Sequence, residues 1–268
     1  MNSKNMSLTA KITLHKVKQT EPLMPIEDNA SVVPWLPKNS LPDAFPHPRH
    51  AIDGLLAIGG DLSPKRILAA YLKGIFPWYE KPDPILWWSP DPRAVLFPGD
   101  LHISQRLARN IRQSSLKITA DTAFLQVIRE CAAPRKNSEG TWISDDMSEA
   151  YLNLHELGWA HSFEAWHDGD LVAGIYGIAI GRVFFGESMF SRINNASKIL
   201  FVNTLKYLIS KNFELIDCQV SSKHLQSLGA TTLPRIEFLR KIEMLCKPRG
   251  TGFSWALDHA RYIDSIIR

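Results

Sequence analysis

The sequence predicts an α+β protein, with a small proline-rich N-terminal domain over residues 33–97 and a larger domain over residues 98–246 whose mainly antiparallel sheet is flanked by helices. Three observations lead there. Between Val33 and Pro98 the runs VPWLP, FPHP and PDPILWWSPDPRAVLFP crowd proline, which fixes φ and blocks helix interiors, so short elements joined by rigid loops are expected. Between Ala160 and Phe190, strand-like runs alternate with turn signals at HDGD and GR, the pattern of an antiparallel meander. From Val183 to Val220, an amphipathic helix lies between two apolar strands. Residues 1–32 are polar without a sustained period and are expected to be a disordered arm; residues 247–268 are a tail, with the pattern of a terminal helix over 251–268.

In the first domain, Pro64–Lys73 has the signature of a helix, with Ser63 at its cap, Pro64 at the first helical position and Gly74 at its end. Trp78, Trp87 and Trp88 are candidate core residues. A helix beginning after Ser104 turns Leu101, Leu107 and Ile111 inward and gathers Arg106, Arg109 and Arg112 into a basic stripe, a spacing that suits a solvated face or contacts to successive phosphates. Arg129, Arg135 and Lys136 add positive charge nearby. A strand at KITA leads to a helix capped by Asp121 or Thr122; the loop PRKNSEGTW follows, then a capped helix ending at Gly158. Gly174, Gly177 and Gly186 interrupt the meander, where glycine marks a bulge or a close approach of backbone. Asn195 or Ser197 starts the helix that carries Phe201, Val202, Leu205, Leu208 and Ile209. In the strand FELIDCQV, Leu215, Asp217 and Gln219 share one face and Ile216, Cys218 and Val220 the other. HLQSLGA and PRIEFLRKIEML are expected as short helical pieces.

Composition narrows the class. A chain of 268 residues that is 45% hydrophobic can bury a sizeable core. The formal net charge of +4 favours an anionic partner only where basic residues cluster. Cys131, Cys218 and Cys246 form no CxxC pair, so neither a disulfide framework nor a zinc site is expected, and a reducing cytosol is the natural compartment. No apolar signal-peptide core and no membrane-length apolar run is present.

The chemistry concentrates at residues 183–220. Glu187 follows the apolar run VFFG, and Asp217 with Gln219 sits on one face of an apolar strand, spaced to meet over one small substrate atom. Each alone is as readily a structural acid; two bracketing one helix suggest a site. GxSxG, HExxH, Walker and GxGxxG motifs are absent, against hydrolase, zinc-protease, P-loop and dinucleotide-binding classes.

The segments GLLAIGGDLSP, GIFPWY, LWWSPDPRAV, GTWIS, LHELGWAHSFEAW, GESMFSR, NASK and LIDCQV, in this order over about residues 33–242, resemble the bacterial leucyl/phenylalanyl-tRNA-protein transferases. The resemblance implies a GNAT-like larger domain with a mixed sheet. It also implies a cytoplasmic enzyme, without cofactor or metal, that moves Leu or Phe, less readily Met, from aminoacyl-tRNA to proteins with N-terminal Arg or Lys, marking them for N-degron proteolysis. Residue by residue it implies adenosine-binding Trp78 and Trp142, tRNA phosphate contacts by Arg106, Arg109 and Arg112, and an aminoacyl pocket of Ile175, Phe184, Phe201, Thr204, Leu208 and Ile216. Thr204 departs from the usual apolar residue. Asp217, Gln219 and Glu187 match the catalytic set: Asp217 is expected to orient the amine or act as base, Gln219 to hydrogen-bond amine or oxyanion, and Glu187 to favour the cationic acceptor. No membrane partner is expected, and the chain is expected to act as a monomer. Two rivals differ in class: a GNAT-type acetyltransferase, which lacks here its R/QxxGxG/A loop, and a non-catalytic tRNA or N-terminus binding module, which would not need Asp217 with Gln219.

Overall fold

The computed structural model describes residues 32–133 and 143–247. The expected arm, the terminal helix over 251–268, Arg135, Lys136 and Trp142 lie outside those residues.

The first unit is a four-stranded sheet in the order β1-β2-β4-β3, built from β1 (Trp35–Leu36), β2 (Leu55–Gly59), β3 (Phe76–Pro77) and β4 (Leu86–Trp88), with α1 (Pro64–Leu72) between β2 and β3. Strands this short follow from the prolines. Trp87 is the fully buried core tryptophan and donates to the Gly59 carbonyl, whereas Trp78 and Trp88 are half-buried and lie 6.0 Å apart. Ser63 occupies the cap position of α1 without a side-chain cap bond; Asp61 takes over the corner, accepting from the Ser63 amide and from the buried Arg66.

The chain continues through β5 (Arg93–Leu96), α2 (Gln105–Arg112), β6 (Lys117–Ala120), α3 (Phe124–Ala132), α4 (Asp145–Glu156), β7 (Ala160–His167), β8 (Asp170–Ile180), β9 (Val183–Ser191), α5 (Ala196–Ser210), β10 (Leu215–Gln219), α6 (Lys223–Gln226), β11 (Thr231–Leu233) and α7 (Arg235–Leu245). Seven strands form one sheet in the order β11-β5-β10-β9-β8-β7-β6. Every pairing is antiparallel except β9 with β10, which α5 joins as a crossover. The sheet is therefore mixed and mainly antiparallel. Although β5 precedes residue 98, it belongs to this second sheet.

The meander is β7-β8-β9, and its first turn places Asp168 and Gly169 at positive φ as a two-residue hairpin requires. Two of its glycines answer to close approach. A Cβ on Gly177 would lie 2.2 Å from the Phe185 carbonyl and 2.6 Å from the Phe184 ring; one on Gly174 would meet Phe190 and Val127. Ser104 and Ser144 cap α2 and α4 as expected. The cap of α3 is Ala123 instead, because Asp121 is taken by His161 and the Ser162 amide, and Thr122 by the buried Glu164. Asn195 starts α5 at φ 64° without a side-chain bond.

Alternation along the strands separates two cores. Val183, Phe185 and Leu215 join the core shared with the first unit, α3, α4 and α7, while Phe184 and Ile216 join the core beneath α5.

Candidate active site

The site lies at the C-terminal ends of the parallel pair β9 and β10, where Asp217 pairs in register with Phe185, so that Glu187 and Gln219 each stand two residues further along. Both strands are irregular there. Between Gly177↔Gly186 and Tyr176↔Ser188 the β8–β9 register slips by one residue, leaving Glu187 as the extra one; the β10–β5 register slips between Asp217 and Gln219. Gln219 has φ 60°, a left-handed conformation costly for a side chain this size, and its amide donates to Asp217 Oδ1 at 2.9 Å, which holds the kink.

Asp217 is fully buried and met by a guanidinium: Arg93 Nε donates to Oδ1 at 2.8 Å and Nη2 to Oδ2 at 2.6 Å. Arg93, also fully buried, gives Nη1 to the Gly74 carbonyl at 3.1 Å and lies between the rings of Phe76 and Phe238, 4.7 and 4.6 Å from their centroids. One side chain thus ties β5, β10, α7 and the first unit to the acid.

Glu187 has no cation beside it among the described residues. Its Oε1 accepts from Tyr71 Oη at 2.6 Å and Gln219 Nε2 at 2.9 Å, and its Oε2 contacts Tyr151 Oη at 2.6 Å. Burial pushes its carboxyl up to about 7, the negative charge of Asp217 adding to the rise while Tyr151, Tyr71 and Gln219 oppose it. Burial and the neighbouring Glu187 hold the phenols of Tyr71 and Tyr151 far above the ordinary tyrosine range.

Gln219 is thereby oriented. One N–H of its Nε2 is held by Glu187, which fixes the amide plane and turns its carbonyl oxygen to accept from whatever occupies the site.

The structure brings Asp217, Gln219 and Glu187 together as the sequence implies, but supplies Asp217 with a partner that the sequence pattern did not reveal. It gathers Ile175, Phe184, Phe201, Leu208 and Ile216 into the core under α5, with Thr204 buried on the same helix face as Phe201 and Leu208. That set lies across the sheet from the polar trio. Arg106, Arg109 and Arg112 are exposed on α2, and no acid pairs with them among the described residues. Trp78, half-buried, lies in the first unit; Trp142 is outside the described residues. Arg93, Tyr71 and Tyr151 went unrecognised in the sequence. The one signal for Arg93 was its place in the family-like run LWWSPDPRAV; a tyrosine inside a helix carries none.

Comparison with known proteins gives the family. Residues 95–243 match the model of a family described as leucyl/phenylalanyl-tRNA protein transferase, and residues 60–91 match that of its N-terminal domain. The chain is 52% identical over 231 residues to a leucyl/phenylalanyl-tRNA--protein transferase of Nitrosospira multiformis, covering 85% of this chain and 98% of that one. It is 55% identical to one from Saccharophagus degradans, covering 82% and 94%. Among solved structures, a GCN5-related N-acetyltransferase from Kribbella flavida is 11% identical over 63% of this chain and 60% of that one, with a TM-score of 0.33, a likeness too distant to carry an inference. The family matches take in the two bulged strands, nearly all of the seven-stranded sheet and α1, β3 and β4 of the first unit, and on them the chain belongs to the leucyl/phenylalanyl-tRNA protein transferase family.

Proposed function

We propose that this chain transfers leucine or phenylalanine, and less readily methionine, from the 3′ end of aminoacyl-tRNA to the α-amine of a protein beginning with Arg or Lys, creating an N-degron. It acts in the cytosol, as a monomer, with no cofactor or metal. The observation that carries the reading is the fixed amide of Gln219. Its free carbonyl oxygen is the acceptor that an attacking amine needs, and the second register slip places it at the strand end.

The chemistry asks little of a base. The amine nitrogen attacks the ester carbonyl carbon, a C–N bond forms, the bond to the ribose oxygen breaks, and one amine proton ends on that oxygen. An α-amine with a pKa of about 7.7 to 8.0 is partly neutral at cytosolic pH, and the ester is already an active acyl donor. Gln219 accepts a hydrogen bond from the amine N–H and aims its lone pair, so most of the rate comes from positioning. Asp217, already satisfied by Arg93, is a poor base; it acts through Gln219 by holding that residue's backbone. The half-exposed Trp78, with Trp142, offers rings on which the terminal adenine stacks, and Arg106, Arg109 and Arg112 meet acceptor-stem phosphates.

Transfer of labelled Phe from Phe-tRNA to an Arg-initiated peptide, set against the same peptide beginning with Met, tests the reading. Transfer to the first alone is expected; none to either overturns it.

A further inference from the structure

Glu187, Tyr71 and Tyr151 close a ring of three short oxygen contacts: 2.6 Å from Tyr71 to Oε1, 2.6 Å from Tyr151 to Oε2, and 2.8 Å between the two phenol oxygens. Each contact is a hydrogen-bond distance, and each hydrogen bond needs its own proton. A phenol brings one. Three bonds therefore need three protons where the tyrosines supply two. Were Glu187 ionised, it would draw both phenolic protons to itself, and two phenol oxygens would face each other at 2.8 Å with lone pairs between them.

We propose that Glu187 carries the third proton: the resting site holds it as a neutral carboxylic acid in a closed ring with Tyr71 and Tyr151, and this ring, rather than an anion, positions Gln219. The directions are then fixed. Glu187 Oε2–H donates to Tyr151, Tyr151 to Tyr71, and Tyr71 to Oε1, which also accepts Gln219 Nε2. Each of the three hydroxyl protons then has an acceptor and no lone pair opposes another.

The surroundings agree from every side. Tyr71 comes from α1 and Tyr151 from α4; β8 brings Tyr176, fully buried and with no hydrogen-bond partner for its hydroxyl among the described residues. From β10 come Gln219 and the negative charge of Asp217, and from β5 Arg93, whose guanidinium is committed to Asp217. None of these supplies Glu187 with a positive charge. The rise of its carboxyl to about 7, caused first by burial, is the same preference seen energetically.

Resting on the transfer reading, one consequence follows for the acceptor. Asp217 is neutralised by Arg93 and Glu187 by its proton, so an entering amine meets no unpaired negative charge. Such a place disfavours the ammonium and favours the neutral nucleophile. This replaces the sequence-based expectation that Glu187 attracts the cationic acceptor.

Infrared difference spectra of the full chain, wild type minus Glu187→Gln with glutamate carboxyls isotopically labelled, test the proton directly. A protonated-carboxyl C=O band that fades as pH rises through about 7 is expected. A carboxylate signature alone from about pH 5 upward, just above the ordinary glutamate value of about 4.3, overturns the proposal. Should E187Q not fold, NMR titration of the labelled carboxyl carbon in the wild-type chain reads the same proton, and a midpoint at the ordinary value is the overturning result. Neither measurement involves tRNA, so failure here leaves the transfer assay to stand or fall by itself.

Discussion

On adjacent parallel strands stand two acids with nearly the same burial, Asp217 fully enclosed and Glu187 5% exposed, in opposite electrostatic settings. Around Asp217 the protein has built a cation, two charge-assisted bonds and a backbone amide. Around Glu187 it has placed two phenols and an amide, all neutral. The first setting pairs an acid with a guanidinium; the second encloses an acid whose carboxyl burial pushes up to about 7. Depth alone does not decide what a buried acid does. The company it keeps does.

Breaking the Asp217 side should have the largest effect. Arg93→Met leaves a buried anion without its counter-ion, which costs about 3 to 5 kcal/mol, measurable by denaturant unfolding. Adding Asp217→Asn removes the stranded charge, so the double variant should recover part of that loss; a double variant as unstable as R93M would mean the pair is not what matters.

The Glu187 side should respond to pH instead. Its folded pKa of about 7 exceeds the ordinary value of 4.5, so the folded state holds the extra proton, and the stability this brings is complete below about 4.5 and lost as pH rises through about 7. Relative to Glu187→Gln, which cannot titrate, wild type should lose on the order of 3 kcal/mol across that window, at about 1.4 kcal/mol per pKa unit. A difference that is flat with pH would erase the contrast between the two acids.

Smaller effects sharpen it. Tyr71→Phe and Tyr151→Phe each remove one ring hydroxyl and should each cost about 1 to 2 kcal/mol, with the double variant costing less than the sum because one ring is lost either way. Smallest for the fold is Arg109→Gln on the exposed stripe: thermal stability should stay within about 0.5 kcal/mol, while the salt slope of tRNA binding drops by about 1. An unchanged slope would remove α2 from the tRNA surface.

Much of this was legible in the sequence because it is local. Hairpin turns need positive φ at HDGD, strand glycines answer to Phe184 and Phe190, and alternation in LIDCQ puts Asp217 and Gln219 on one side. What could not be read is tertiary. Arg93 stands 124 residues before Asp217, and Tyr71 stands 116 before Glu187, with no periodicity linking them. Ser63 holds the expected cap position of α1 but makes no side-chain cap bond, while the cap expected at Asp121 or Thr122 is lost to the tertiary partners His161 and Glu164. The bulge at Glu187 is half-written: Gly186 marks an irregular strand, but the slipped register appears only when β8 is laid beside it.

The position of Arg93 between Phe76 and Phe238, with Gly74 above it and Asp217 below, also bears on how the molecule comes apart. Phe76 and Gly74 belong to the first unit, Phe238 and Asp217 to the second. Losing the first unit would strip one aromatic face and one carbonyl from the guanidinium and open the buried ion pair to solvent. The larger sheet keeps Asp217 sheltered only with the smaller unit in place, so a single unfolding transition is expected of the described units, and a fragment beginning at β5 would inherit the acid without its shelter.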